Sequence, residues 1–280
     1  MLTDSKDFQL IALSIIFFEY IKYAFGIIKT TDVLYMIIAD IKIAHRLTKH
    51  SKYSYLHMKR SDDKMFQQLD LLRIITTLPG ILLGFTFHEY AHAYMATKFG
   101  DPTPKMQGRL TVNPLVHIDI WGLLLIIFAG FGWAKPVVTN PSYYKGNVKQ
   151  KDLIVSFAGP VMNFIIAFIS AAILLLIDKY GILNSVDRNK INIIFMIIEG
   201  IIWINCVLFI FNLVPIPPLD GFHVLINILP VKSYGFIYAL EKYGQIILLV
   251  FIILPFSSTI IGTGAAYIEN FILKVLSTVI

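Results

Sequence analysis

Residues 74–92 read IITTLPGILLGFTFHEYAH. A run without a charged side chain, 74–87, leads directly into a His-Glu-x-x-His pattern. On a helix His88 and His92 stand four positions apart on one face, so both imidazoles reach a single Zn²⁺. Glu89 lies beside them, placed to take a proton from water activated by the metal. In a water-soluble chain the same letters describe an ordinary hydrolytic metal site. Here the apolar approach puts the site at membrane depth, where ionisable groups are too costly to be kept without a function.

Composition points the same way. The 280 residues are 56% hydrophobic and 15% charged, with a mean hydropathy of +0.70. That leaves too little polar surface to cover a soluble globule. The net charge of +6 is assigned to loop Lys and Arg facing anionic headgroups, because no basic stretch carries a nucleic-acid-binding motif. Nucleic acid is therefore excluded as a partner, and the lipid bilayer is expected as one. Cys206 is the sole cysteine, which rules out an intramolecular disulfide and a thiolate zinc cluster. It reads as a small apolar residue in a helix.

Crossing roughly 30 Å of hydrocarbon takes about 20 apolar residues. Residues 153–177 and 243–268 carry no charge, and 191–219 is interrupted only by Glu199. With a helix over about 71–97 that holds the motif, these make four membrane segments. Residues 120–133 are apolar but too short and too rich in Gly to span, and suit a re-entrant or interfacial hairpin. The expected fold is an all-α polytopic membrane protein, a bundle of about four to six transmembrane helices. A short re-entrant or β-hairpin segment is expected near the site.

Two units are expected, an N-terminal extension over 1–68 and a membrane-embedded domain over 69–280. Residues 8–28 are hydrophobic enough to cross but contain Glu19 and Lys22, and a basic stretch follows with Lys42, Arg46, Lys49, Lys52, Lys59 and Arg60. The preferred reading is an additional membrane helix with a cytoplasmic basic linker. A region lying on the membrane surface is the alternative. No removable signal peptide is evident. The loop 98–151 holds seven Lys and Arg residues, from Lys98 to Lys151, among few acids, which makes it cytoplasmic by the positive-inside tendency. The linker before Leu71 asks for the same side as this loop, and the denser loop is taken to decide.

A catalytic zinc site needs at least one more protein ligand. The stretch FNLVPIPPLDG, 211–221, holds one carboxylate, Asp220, behind Pro215, Pro217 and Pro218. Each Pro lacks an N–H and fixes φ, so the helix must break there. Backbone unwound at membrane depth is tolerated only where protein or a watery cavity satisfies it. Asp220 is thus a candidate third ligand, and a plain surface turn is the competing reading. His117 and His223 read as hydrogen-bonded structural residues, while His45, His50 and His57 face water from the basic linker.

HEYAHAY, GDPTPKMQGRLTVNPLVHID, GFGWAKPV, AGPVMN and FNLVPIPPLDG occur in this order from residue 88 to 221. Together they resemble the site-2 protease family of intramembrane zinc metalloproteases, above all its compact bacterial branch. The resemblance runs from about residue 71 to the last helix and leaves 1–68 outside. It implies one Zn²⁺ per chain held by His88, His92 and Asp220, with Glu89 as acid/base. It also implies a substrate-facing role for Asn212 and a helix-packing role for Gly159 and Asn163. If Asn212 reaches the site, its amide can stabilise a developing oxyanion; an interhelical hydrogen bond is the alternative. No chemistry is assigned to Asn113 or Lys135.

The activity so implied is hydrolysis of a peptide bond in or near the membrane segment of a single-pass protein, at the cell membrane and nearer the cytoplasmic side. A helical substrate must unwind first, and the segment 105–116 is expected to offer it a strand edge. The stretch 215–218 is the other candidate. A transporter or ion-binding protein using the same His, Glu and Asp is the rival from another class. It predicts two matching halves with broken helices, whereas one Pro-broken segment is evident. A catalytically dead scaffold is disfavoured by the intact motifs.

Overall fold

The computed structural model describes residues 71–129, 132–229 and 234–280, all within the compact unit Leu69–Ile280. The expectations for 1–68 lie outside the described residues. We number the helices α1 Leu71–Lys98, α2 Thr103–Met106, α3 Pro114–His117, α4 Ile120–Ala129, α5 Val148–Lys179, α6 Arg188–Asn212, α7 Asp220–Ile228, α8 Tyr234–Ile253 and α9 Pro255–Val279. Among the described residues the fold is all-α, and the sole β pairing is an isolated antiparallel bridge between Ile118 and Ala134. Four helices are long and apolar enough to cross a membrane, Val148–Lys179, Arg188–Asn212, Gly235–Ile253 and Phe256–Val279. The chain is a multi-pass membrane protein.

Three expectations change. The motif helix, expected as one of the four membrane segments, is α1, and it is not among the four helices long and apolar enough to cross. The uncharged run 243–268 is not one span but parts of two, because α8 ends at Ile253 and α9 begins at Pro255. Proline cannot donate to the preceding turn and pushes the residue before it out of helical geometry. Leu254 is accordingly extended, at φ −69° and ψ 133°. The segment 105–116 forms no strand. Pro104 lies in the first turn of α2, and Pro114 opens α3 behind an Asn113 side chain that caps the Leu115 N–H. Proline in a first turn favours helix. This also gives Asn113 its place.

Helices α1, α5 and α6 pack against one another, with α9 against α5 and α6. The α5–α6–α9 core is built from Ala167, Ala171, Ile202, Cys206, Ala265 and Ile272, so Cys206 is the small buried residue expected. Helix α1 presents Thr76, Gly80, Gly84, His88, His92 and Ala96 at every fourth position, and all six are buried. Such a stripe of small residues lets backbones approach in lipid, where apolar burial alone does not hold helices together. A Cβ on Gly80 would lie 2.9 Å from the Gly200 carbonyl oxygen, and one on Gly200 would overlap the Thr76 carbonyl. The α1–α6 contact therefore needs hydrogen at both positions.

Gly200→Ala should lower the unfolding temperature of the detergent-solubilised protein, at a cost of about 1–3 kcal/mol for overpacking. Gly262→Ala, whose new Cβ meets nothing within 4 Å, should be neutral or stabilising by up to about 1 kcal/mol from helix propensity. Equal unfolding temperatures for the two variants would contradict the close approach.

Candidate metal centre

The stripe on α1 carries both histidines into the interior, where His88 is 7% and His92 8% exposed. Each ring has its Nδ1 committed. His88 Nδ1 donates to Asn163 Oδ1 at 2.7 Å, and His92 Nδ1 donates to the Val155 carbonyl at 2.8 Å. Both partners lie on α5. With the proton on Nδ1, the Nε2 of each neutral ring presents a lone pair. The two Nε2 atoms are 3.1 Å apart. Gly159 of α5 lies directly against them: a Cβ there would overlap His92 Nε2 and sit 2.6 Å from His88 Nε2. The role expected for Gly159, helix packing, thus becomes room for the imidazoles.

Asp220 arrives from much later in the chain, beyond α5 and α6. Helix α6 stops at Asn212, and a buried turn through Val214, Pro217 and Leu219 packs against Phe251 of α8. Asp220 then opens α7, in the first turn, where a carboxylate complements the helix dipole. Gly221 is required at the junction, since a Cβ would overlap the Leu213 carbonyl and lie 2.7 Å from that of Val214. Asn227 Nδ2 donates to Asp152 Oδ2 at 2.6 Å, which ties α7 to α5. The outcome is that Asp220 Oδ2 stands 3.1 Å from His88 Nε2 and 3.3 Å from His92 Nε2.

These three atoms form a group able to hold a metal ion. Ligand atoms about 2.0–2.1 Å from zinc at tetrahedral angles lie about 3.3–3.4 Å from one another. The observed separations of 3.1–3.3 Å match that size. Two imidazole lone pairs and a carboxylate oxygen at this distance repel unless a metal ion or a proton lies among them. Asp220 Oδ2 is also a buried oxygen with no hydrogen-bond partner, and the donor set suits zinc.

Glu89 is buried beside the histidines, 8% exposed. Its Oε2 accepts from the Val137 N–H at 2.7 Å. Arg109 holds that strip of chain in place, since its guanidinium donates to the carbonyls of Val116, Lys135 at 2.9 Å and Pro136 at 2.8 Å. Burial pulls the Arg109 pKa below its ordinary value, while the Glu89 carboxylate raises it. Asp101 does similar work nearby, accepting from the N–H groups of Thr103 and Asn140. Lys135 enters through its backbone, which bonds to His117. His117 is fully buried with Nε2 on the Thr111 carbonyl at 2.7 Å, a structural residue as expected.

Asn212 is the last residue of α6, and its amide donates to the Leu208 carbonyl at 3.0 Å, within its own helix. The bond it makes is neither interhelical nor to the cluster. Sequence reasoning missed the hydrogen-bonding roles of Asn163, Asn205, Arg109 and the Val155 carbonyl. Only the two asparagines leave a sequence signal, as amides inside otherwise apolar runs. Arg109 reads as one loop cation among several.

Fold and cluster define a polytopic membrane metalloprotein. The sequence profile of peptidase family M50 matches residues 76–255. The chain belongs to that family, the site-2 proteases its motifs resemble, and is a zinc metalloprotease. A Bacillus subtilis protein named "Putative zinc metalloprotease YwhC" is 40% identical over 202 residues, covering 71% of this chain and 90% of its own length. Rip2 of Mycolicibacterium smegmatis is 29% identical over 186 residues, 65% of this chain and 68% of that protein. Rip2 of Mycobacterium tuberculosis strain H37Rv is 24% identical over 188 residues, with the same coverage. No solved structure matches the chain.

Gly159→Ala should abolish stoichiometric zinc binding, because the added methyl group occupies the space of the two Nε2 atoms. Circular dichroism should remain helical, since alanine favours helix over glycine. Metal analysis of the purified variant decides: zinc bound as in the parent would show that the imidazoles do not need this space.

Proposed function

We propose that this zinc metalloprotease cuts a peptide bond in or near the membrane segment of a single-pass membrane protein. Convergence of His88 Nε2, His92 Nε2 and Asp220 Oδ2 within 3.3 Å, inside a bundle of membrane-length helices, is the observation that carries this reading. One ion per chain is held by those three atoms. Bound there, zinc supplies Lewis acidity, which makes water acidic enough to ionise near neutral pH and polarises a peptide carbonyl. Glu89 takes the proton from the attacking water and returns it to the leaving amine. The Val137 N–H aims the carboxylate for both transfers.

The irregular strip 135–140, whose Val137 N–H meets Glu89, offers an unwound substrate a backbone edge, in place of the segment 105–116, which forms no strand. Asn212, at the mouth of the broken helix, is assigned a substrate-facing role that requires its amide to leave Leu208. His92 lies six residues before the end of α1, about 9 Å along its axis. The basic loop 98–151 follows, and by the positive-inside tendency it supports an active site nearer the cytoplasmic face of the cell membrane. Helix α4 is too short to span, and its exposed Ile120, Trp121, Leu124 and Phe128 suit the lipid interface. Regulated intramembrane proteolysis, releasing a signal or clearing a remnant, is the process such an enzyme serves.

Glu89→Gln should keep zinc and lose cleavage of a reconstituted single-pass substrate by about 10²-fold or more. Asp220→Ala should lose zinc along with activity. Proteolysis at the parental rate by either variant would refute these roles. Zinc transport by the parent protein, without cleavage, would favour the rival reading.

A further inference from the structure

Behind the ligands, buried amides connect three helices. Asn163 of α5 and Asn205 of α6 are both fully buried. Asn163 Oδ1 accepts from His88 Nδ1 at 2.7 Å, and its Nδ2 donates to the Gly84 carbonyl at 3.1 Å and to Asn205 Oδ1 at 3.0 Å. Asn205 Nδ2 in turn donates to the carbonyls of Ile201 at 2.9 Å and Gly80 at 3.4 Å. Every donor and acceptor in this chain of bonds has one allowed direction.

Direction matters because an asparagine amide can turn over. If Asn163 were reversed, its NH₂ would face His88 Nδ1 and its oxygen would meet two acceptors, the Gly84 carbonyl and Asn205 Oδ1. His88 would then carry its proton on Nε2, with no lone pair for a metal. Asn205 forbids that state. Its own amide is held by two backbone carbonyls, so Oδ1 has to point at Asn163.

We infer that Asn205, which bonds to none of the three metal ligands, is a positioning residue that sets the tautomer and ring orientation of His88 through Asn163. The inference rests on the zinc site proposed above and extends it: the metal-binding state of α1 is specified from α6, across α5. Outer partners of metal-bound histidine ordinarily matter by about 10- to 100-fold in affinity. Here the partner is one residue further out.

The test is zinc affinity of the full-length protein in detergent, by competition with a chromophoric chelator, and the visible spectrum of the Co²⁺ form. Asn205→Leu removes one of the two acceptors that pin Asn163 and leaves only the Gly84 carbonyl. Its zinc Kd should rise about 10- to 100-fold while the metal-free protein unfolds cooperatively and stays helical. Asn205→Asp, protonated in this buried position, keeps an oxygen for Asn163 Nδ2 and an O–H for one of the two backbone carbonyls, and should restore most of the affinity and the parental Co²⁺ spectrum. Zinc bound by the parent with unchanged affinity in Asn205→Leu would overturn the relay alone. Equal losses in the Leu and Asp variants would also overturn it, showing that the residue acts through packing. No zinc in the parent would overturn the metalloprotease reading, and the relay with it.

Discussion

Two imidazoles inside an apolar bundle can offer lone pairs to one point only if each of their other nitrogens has a partner. A buried N–H without an acceptor costs on the order of 1–3 kcal/mol, and a misplaced proton removes the ligand altogether. Helix α5 supplies both acceptors, the Val155 carbonyl and the Asn163 amide oxygen. Four residues after Val155 it also supplies the hydrogen of Gly159 against which the rings rest. Acceptor, spacer and amide recur on one face of α5 at four-residue intervals, facing the stripe of α1. The site is thus first a property of the α1–α5 contact.

The remaining chemistry is brought to that contact by irregular backbone. Asp220 comes from a proline-rich turn packed against α8, and Glu89 is aimed by an N–H from a loop that Arg109 clamps through three carbonyls. Such segments are admissible at membrane depth because side chains or neighbouring backbone satisfy their polar groups. The same rule explains the glycines. Gly80, Gly200 and Gly221 each face a backbone carbonyl that any larger residue would strike, so close approach lets the helices and the turn hold these positions without loss of hydrogen bonds.

Much of the architecture is visible as hydropathy. The uncharged runs reveal α5, α6 and the pair α8–α9, though the boundary at Pro255 divides a run that length suggests is single. In such a run the chemistry of one proline outweighs the surrounding hydrophobicity. Residues 105–116 look strand-like by alternation, yet prolines and a capping asparagine make helical turns. At the site, the spacing of His88, Glu89 and His92 states its own geometry, because four residues complete about one helical turn.

No spacing rule connects residue 92 to residue 220, and the closure of that distance to 3.3 Å is decided by how the α6–α7 turn packs. The duties of Asn163, Asn205 and Arg109 are likewise invisible in one dimension, since an amide or a guanidinium is a partner only to what stands opposite it. The membrane-grade runs, the motif face and the ligand types follow from local composition and periodicity, which act over a few residues. Which proton each histidine holds depends on contacts between residues 63 and 75 positions apart, and only packing across the bundle sets those.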